Sequence, residues 1–178
     1  MIQKLMISIL LLAIITGCSQ NEAKNSYEIV SPDGKNKIKF ELIEYTPKYA
    51  VYHGDTEVLS LSDMGFLLKD NEDLSKNFEI TYVENSTFDE TWKQVWGEKK
   101  NIRNNYNQLA VHLQQKSKNK RKLEIQFRAF NDGIAFRYVY PKQETKDSIF
   151  IMDEKTTFNL KEDGNAWWIP AYRENRYE

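Results

Sequence analysis

Cysteine is almost missing from this sequence. Its 178 residues include one cysteine, Cys18, two histidines, four prolines and seven glycines. A single thiol permits no internal disulfide. With two histidines beside it, a zinc or thiol site in the folded part has little to build from. Net charge is nearly missing too: 25 basic against 26 acidic residues give −1. A nucleic-acid partner would normally be marked by a basic patch, so none is expected. The one basic run, Lys116 to Lys122 (KSKNKRK), lies between two strand-like stretches and reads as a solvated hairpin loop. There is no Gly-rich phosphate loop and no serine in a strained elbow. Acids are plentiful, but no two converge. Asp89 and Glu90 are adjacent, so on an extended chain they face opposite ways. Asp153-Glu154 and Glu162-Asp163 sit near turns, where a carboxylate is normally solvated. No catalytic residue is assigned from the residues alone.

A composition of 40% hydrophobic and 29% charged residues suffices for one soluble domain with a real core. Residues 1–18 read as a leader. Lys4 supplies a positive start, and Ile7 to Ile15 is apolar but too short to span a bilayer. Ile15-Thr16-Gly17-Cys18 fits a bacterial lipobox, which makes Cys18 the expected lipidation site and the lipid the only expected membrane contact. The expected location is the outer membrane, on its periplasmic or surface face. Residues 19–26 are polar and read as a flexible tether.

From Tyr27 onward the pattern is one of short strands. Ile38, Phe40 and Leu42 alternate with Lys37, Lys39 and Glu41, which marks a half-buried strand of period two. Tyr49 to Tyr52, Glu57 to Leu61 and Gly65 to Lys69 follow, with His53-Gly54-Asp55 as a hairpin turn. Phe78, Ile80 and Tyr82 alternate again. Leu109, Val111 and Leu113 form one inward face, which puts His112 on the other, and Leu123, Ile125 and Phe127 form the next. Asn131-Asp132-Gly133 turns the chain into Ile134, Phe136, Tyr138 and Tyr140, until Pro141 stops the strand. Ile149–Met152, Thr156–Leu160 and Ala166–Ile169 complete the expected set. No long helical period follows the leader. The expected fold is all-β, an antiparallel β-sandwich over residues 27–178.

One stretch breaks the pattern. Ser86 to Asn107 reads STFDETWKQVWGEKKNIRNNYN, carries Trp92 and Trp96 among many charges, and alternates poorly. Two readings stay open. It is a long loop whose tryptophans plug the end of the β-core, or it is a recognition or docking surface, because indole faces stack on sugars and favour interfaces.

The runs Thr87-Phe88-Asp89-Glu90-Thr91-Trp92, Val95-Trp96-Gly97-Glu98, Ile102-Arg103-Asn104 and Tyr106-Asn107 resemble the amino-terminal domain of glycoside hydrolase family 97. The run Phe127-Arg128-Ala129-Phe130-Asn131-Asp132-Gly133-Ile134-Ala135-Phe136-Arg137-Tyr138 does so as well. The resemblance extends from about Ser31 to the last residue. It implies a large β-sandwich that precedes a (β/α)8 barrel in α-glucosidases and α-galactosidases; that barrel is not in this sequence. It implies α-linked oligosaccharide as the substrate class, and Trp92, Trp96, Glu98 and Arg103 as carbohydrate or interface residues. It further implies that the sandwich donates one glutamate to a calcium ion at the barrel's active site. The segment Asn175-Arg176-Tyr177-Glu178 matches best there, with Glu178 as the donor and Glu174 second. Calcium takes oxygen ligands, which suits a carboxylate. The alternative is a stand-alone, non-catalytic glycan-binding envelope lipoprotein.

Overall fold

The computed structural model describes residues 25–69, 73–143, 149–165, 167 and 169. Among them are eleven strands and no helix. The first four are β1 (Ser26–Val30), β2 (Asn36–Ile43), β3 (Thr46–His53) and β4 (Thr56–Asp63). Next come the short β5 (Phe66–Leu68) and β6 (Asp73–Leu74). Then follow the long β7 (Phe78–Lys93) and β8 (Asn101–Gln115), β9 (Lys122–Phe130), β10 (Gly133–Val139) and β11 (Ile151–Glu154). One sheet runs β1-β2-β3-β4, a second β10-β9-β8-β7, and a small third β11-β5-β6. Every pairing is antiparallel.

The period-two stretches build the core. Ile38, Phe40 and Leu42 of β2 are buried, whereas Lys37, Lys39 and Glu41 between them are half-exposed. Leu109, Val111 and Leu113 of β8 and Leu123, Ile125 and Phe127 of β9 are buried likewise. The two large sheets meet face to face: Phe40 lies 5.9 Å from Phe127, and Tyr49 lies 5.3 Å from Phe136, ring centre to ring centre. Each fully buried Leu, Ile or Phe adds about 1.5–3 kcal/mol of transfer free energy. The all-β antiparallel sandwich is therefore the fold the alternation predicts.

Several local expectations need correction. Tyr82 does not face inward. The β7–β8 register shifts between Ile80 and Tyr82, and this bulge turns Tyr82 out, 59% exposed, while Val83 takes the half-buried place. Thr156–Leu160 is not a strand. It runs beside β4 through a single Leu59–Leu160 bridge and scattered bonds such as Ser60 N–H to the Asn159 carbonyl, 2.9 Å. The strand expected at Ile149–Met152 occupies Ile151–Glu154 instead. Of Ala166–Ile169, Ala166 and Trp168 lie outside the described residues, and Trp167 and Ile169 belong to no strand. Among the described residues the first strand begins at Ser26; the expected leader at 1–18 and most of the expected tether at 19–26 lie outside them. In the basic run, Arg121 is buried while its neighbours are exposed.

Candidate functional site

The Trp92 stretch is neither a loop nor a plug. Residues 78–93 and 101–115 pair as one long hairpin, from Phe78 opposite Gln115 to Lys93 opposite Asn101. The next strand, β9, pairs with β8 only between Tyr106 and Gln114. The pairs from Asp89–Asn105 to Lys93–Asn101 thus stand beyond the sheet as a two-stranded arm, on the order of 15 Å long before its turn. The turn at 94–100 is closed by Gln94 N–H to the Lys100 carbonyl, 3.2 Å, and by the Gln94 amide to the Lys99 carbonyl. Trp92 is 48% exposed and Trp96 88%, so neither fills the core. The core-plug reading is overturned: a ribbon past the end of the sandwich has no core to plug.

Alternation sorts the arm's side chains. Leu109, Val111 and Leu113 face the core, and Asn107 shares their parity. Its side-chain amide donates to the Val30 carbonyl of the first sheet at 2.8 Å. Arg103 and Asn105 follow on that face, joined across the ribbon by Asp89 and Thr91. Tyr106, Ile102, Phe88 and Trp92 take the opposite face. There the rings form a ladder across three strands: Phe88 stacks on Tyr106 at 5.3 Å, and Tyr106 meets Phe130 at 5.1 Å. The Arg128 guanidinium sits 4.3 Å from the Tyr106 ring centre. An isolated two-stranded hairpin is marginal in water, so this ladder stiffens the arm at its root.

The structure accordingly divides the sequence-predicted residues. Trp92 belongs to the aromatic face and Arg103 to the polar face, while Trp96 and Glu98 occupy the exposed turn. Arg103 binds Asp89 through both its forks, Nε to Oδ1 at 2.8 Å and Nη2 to Oδ2 at 2.7 Å. The Arg103 hydrogen bonds hold the Asp89 carboxyl below its ordinary range. His112 faces outward, its ring 5.4 Å from that of Tyr82 and Nδ1 3.7 Å from a Glu124 carboxylate oxygen. His53 ends β3 and bonds Asn36 at 2.7 Å. Phe88, Tyr106 and the pair Arg128 and Phe130 are far apart in sequence and come together as one ladder only in the fold. Their signal was parity across three strands, readable only with the register known.

Among the described residues, no group of three or more His, Cys, Asp or Glu could hold a metal ion. Glu174, Glu178 and Cys18 lie outside the described residues. The described part alone therefore offers no calcium cage, and a single donor from Glu178 would need ligands from elsewhere.

The model of the glycosyl-hydrolase 97 N-terminal domain matches residues 29–178. The chain belongs to glycoside hydrolase family 97. It is 25% identical over 133 residues to a retaining alpha-galactosidase of Bacteroides thetaiotaomicron, covering 75% of this chain and 19% of that protein. It is similar to a family 97 enzyme from Pseudoalteromonas sp. strain K8, solved with panose, at 32% identity and a TM-score of 0.76, covering 82% of this chain and 22% of that one. The same figures hold for that enzyme solved with acarbose. A beta-arabinopyranosidase matches at 27% identity and a TM-score of 0.68, covering 75% of this chain and 21% of that one. The chain thus spans about a fifth of the length of these family 97 relatives, as their N-terminal domain.

Proposed function

We propose that residues 27–178 are the non-catalytic sandwich of a calcium-dependent α-glycosidase. In this reading the arm packs on a (β/α)8 barrel and closes one wall of its sugar pocket. The observation that carries it is the arm itself: a thin ribbon with one aromatic face and an exposed Trp96 at its turn. Exposed tryptophans on a marginal element are what a covering partner would bury. Relatives that include a retaining alpha-galactosidase and an enzyme bound to panose support an α-linked oligosaccharide as substrate. Which sugar is cleaved depends on barrel residues.

Glu178, in this reading, lends one carboxylate to calcium, with the other ligands supplied by the barrel. Calcium so held would help orient the sugar and polarise the glycosidic oxygen. Lipid on Cys18 would tether the whole to the outer membrane. The test joins this chain to the barrel of the Pseudoalteromonas enzyme and compares it with the Glu178→Ala variant. Calcium affinity should fall by more than the roughly tenfold that loss of an outer-shell partner costs. Unchanged calcium dependence would remove Glu178 from the site.

A further inference from the structure

A second candidate site lies at the end of the sandwich opposite the arm. The edge strands β1 and β7 of the two large sheets bound an open cleft of about 840 Å3 there, within the range of small-ligand sites. Its floor is apolar, with Leu42 and Phe78 buried and Ile80 half-buried. Its rim carries Glu44, Tyr45, Thr81 and Lys116. Tyr45 is 51% exposed, and the Lys116 ammonium lies 3.9 Å from its ring centre. From Phe78 to Trp92 along β7 is on the order of 45 Å, so this cleft and the arm's tip are separate.

The turn that presents Tyr45 is unusual. Ile43 pairs with Thr46, leaving Glu44 and Tyr45 as a two-residue hairpin turn with φ of 48° and 62°. Both sit in the left-handed region, where Asn-Gly is at ease and residues with long side chains are not. Phe78 N–H bonds the Tyr45 carbonyl at 2.9 Å and fixes the turn against the second sheet. Strain held at the rim of a cleft marks side chains kept for what they touch.

We propose that this cleft binds a short neutral oligosaccharide, with Tyr45 as the stacking platform and Glu44, Thr81 and Lys116 as hydroxyl partners. The lining mixes two carboxylates (Glu44, Glu79), the Thr81 hydroxyl, the Asn25 amide and the Lys116 ammonium, a set of donors and acceptors that can serve hydroxyl groups and does not suit an anion. The apolar floor and phenol ring suit the C–H faces of a sugar, and the rim suits its hydroxyls. This site needs no barrel, so it stands or falls apart from the arm and from Glu178.

The test is an NMR titration of the purified full chain with maltotriose and with raffinose. Saturable shifts are expected at the amides of Glu44, Tyr45, Thr81 and Lys116 for at least one sugar. The double variant Glu44→Asn/Tyr45→Gly relaxes the turn. It should melt at or above the parent temperature yet bind about tenfold more weakly, the loss of one aromatic contact. Tyr45→Asn, which tolerates the same backbone, should weaken binding alike. No shift at these amides with either sugar, or unchanged binding by both variants, would overturn the proposal.

Discussion

Arg103 and Asp89 face each other diagonally across the arm and share two hydrogen bonds, at 2.8 and 2.7 Å. The pair sits on the face opposite Trp92, so Arg103 acts in this chain as a brace for the ribbon. Lysine keeps the charge but loses the fork. Arg103→Lys is expected to speed amide hydrogen exchange in 87–93 and 101–105 while leaving the sandwich's melting temperature unchanged. The Arg103 hydrogen bonds hold the Asp89 carboxyl below its ordinary range, so the brace is complete above the ordinary aspartate pKa and lost as pH falls through the lower folded one. Equal exchange in parent and variant would show that the brace is idle.

Gly65 links β4 to β5 at φ +127°, and a β-carbon there would lie 2.5 Å from the Leu74 carbonyl oxygen and from the Ser75 α-carbon. Backbone atoms cannot swing aside as a side chain can. Gly65→Ala should destabilise by roughly 2–4 kcal/mol in urea melts. A loss below about 0.5 kcal/mol, the range of ordinary surface changes, would contradict this.

Tyr49 is buried between the sheets, donates its hydroxyl to the Thr157 carbonyl at 2.9 Å, and has its pKa pushed up to about 12 by that burial. The unfolded phenol ionises near 10. Stability from this group is therefore whole below about pH 10 and is lost as pH rises through about 12, at up to ~1.4 kcal/mol per pH unit. Tyr49→Phe should cost about 1 kcal/mol at neutral pH, for the hydrogen bond, and flatten the alkaline limb of stability against pH. An alkaline limb as steep as the parent's would place the titration elsewhere, with Tyr138, also raised by burial, the next candidate.

Much of the sandwich was legible because one face of each strand is buried. Ile38-Phe40-Leu42 and Leu123-Ile125-Phe127 state their period directly. The arm was not legible because neither of its faces meets the core: Glu90 and Asn104 interrupt the aromatic row, and polar residues fill the other side. Tyr82 departs from the period-two pattern because the bulge after Ile80 resets parity without a glycine or proline to announce it. The Glu44-Tyr45 turn was hidden for a related reason, since it carries neither Asn nor Gly. The Cys18 expectation rests on the Ile15-Thr16-Gly17-Cys18 motif and the Glu178 expectation on family resemblance, and both residues lie outside the described ones.

Trp92 and Trp96 are exposed, so replacing both with serine should move the isolated chain's stability by no more than about 0.5 kcal/mol per site. In the protein joined to a family 97 barrel the same pair should lower the melting temperature and the rate of sugar release together. If only the isolated chain suffers, the indoles serve this fold and not a partner.

Most direct of all is turnover of aryl α-glucosides and α-galactosides by the purified chain, with calcium and without it. No release above buffer is expected, because the sandwich is read as a scaffold whose catalytic groups reside in a barrel. Calcium-stimulated release by this chain alone would contradict that account and move the search for a catalytic acid and base to its own carboxylates.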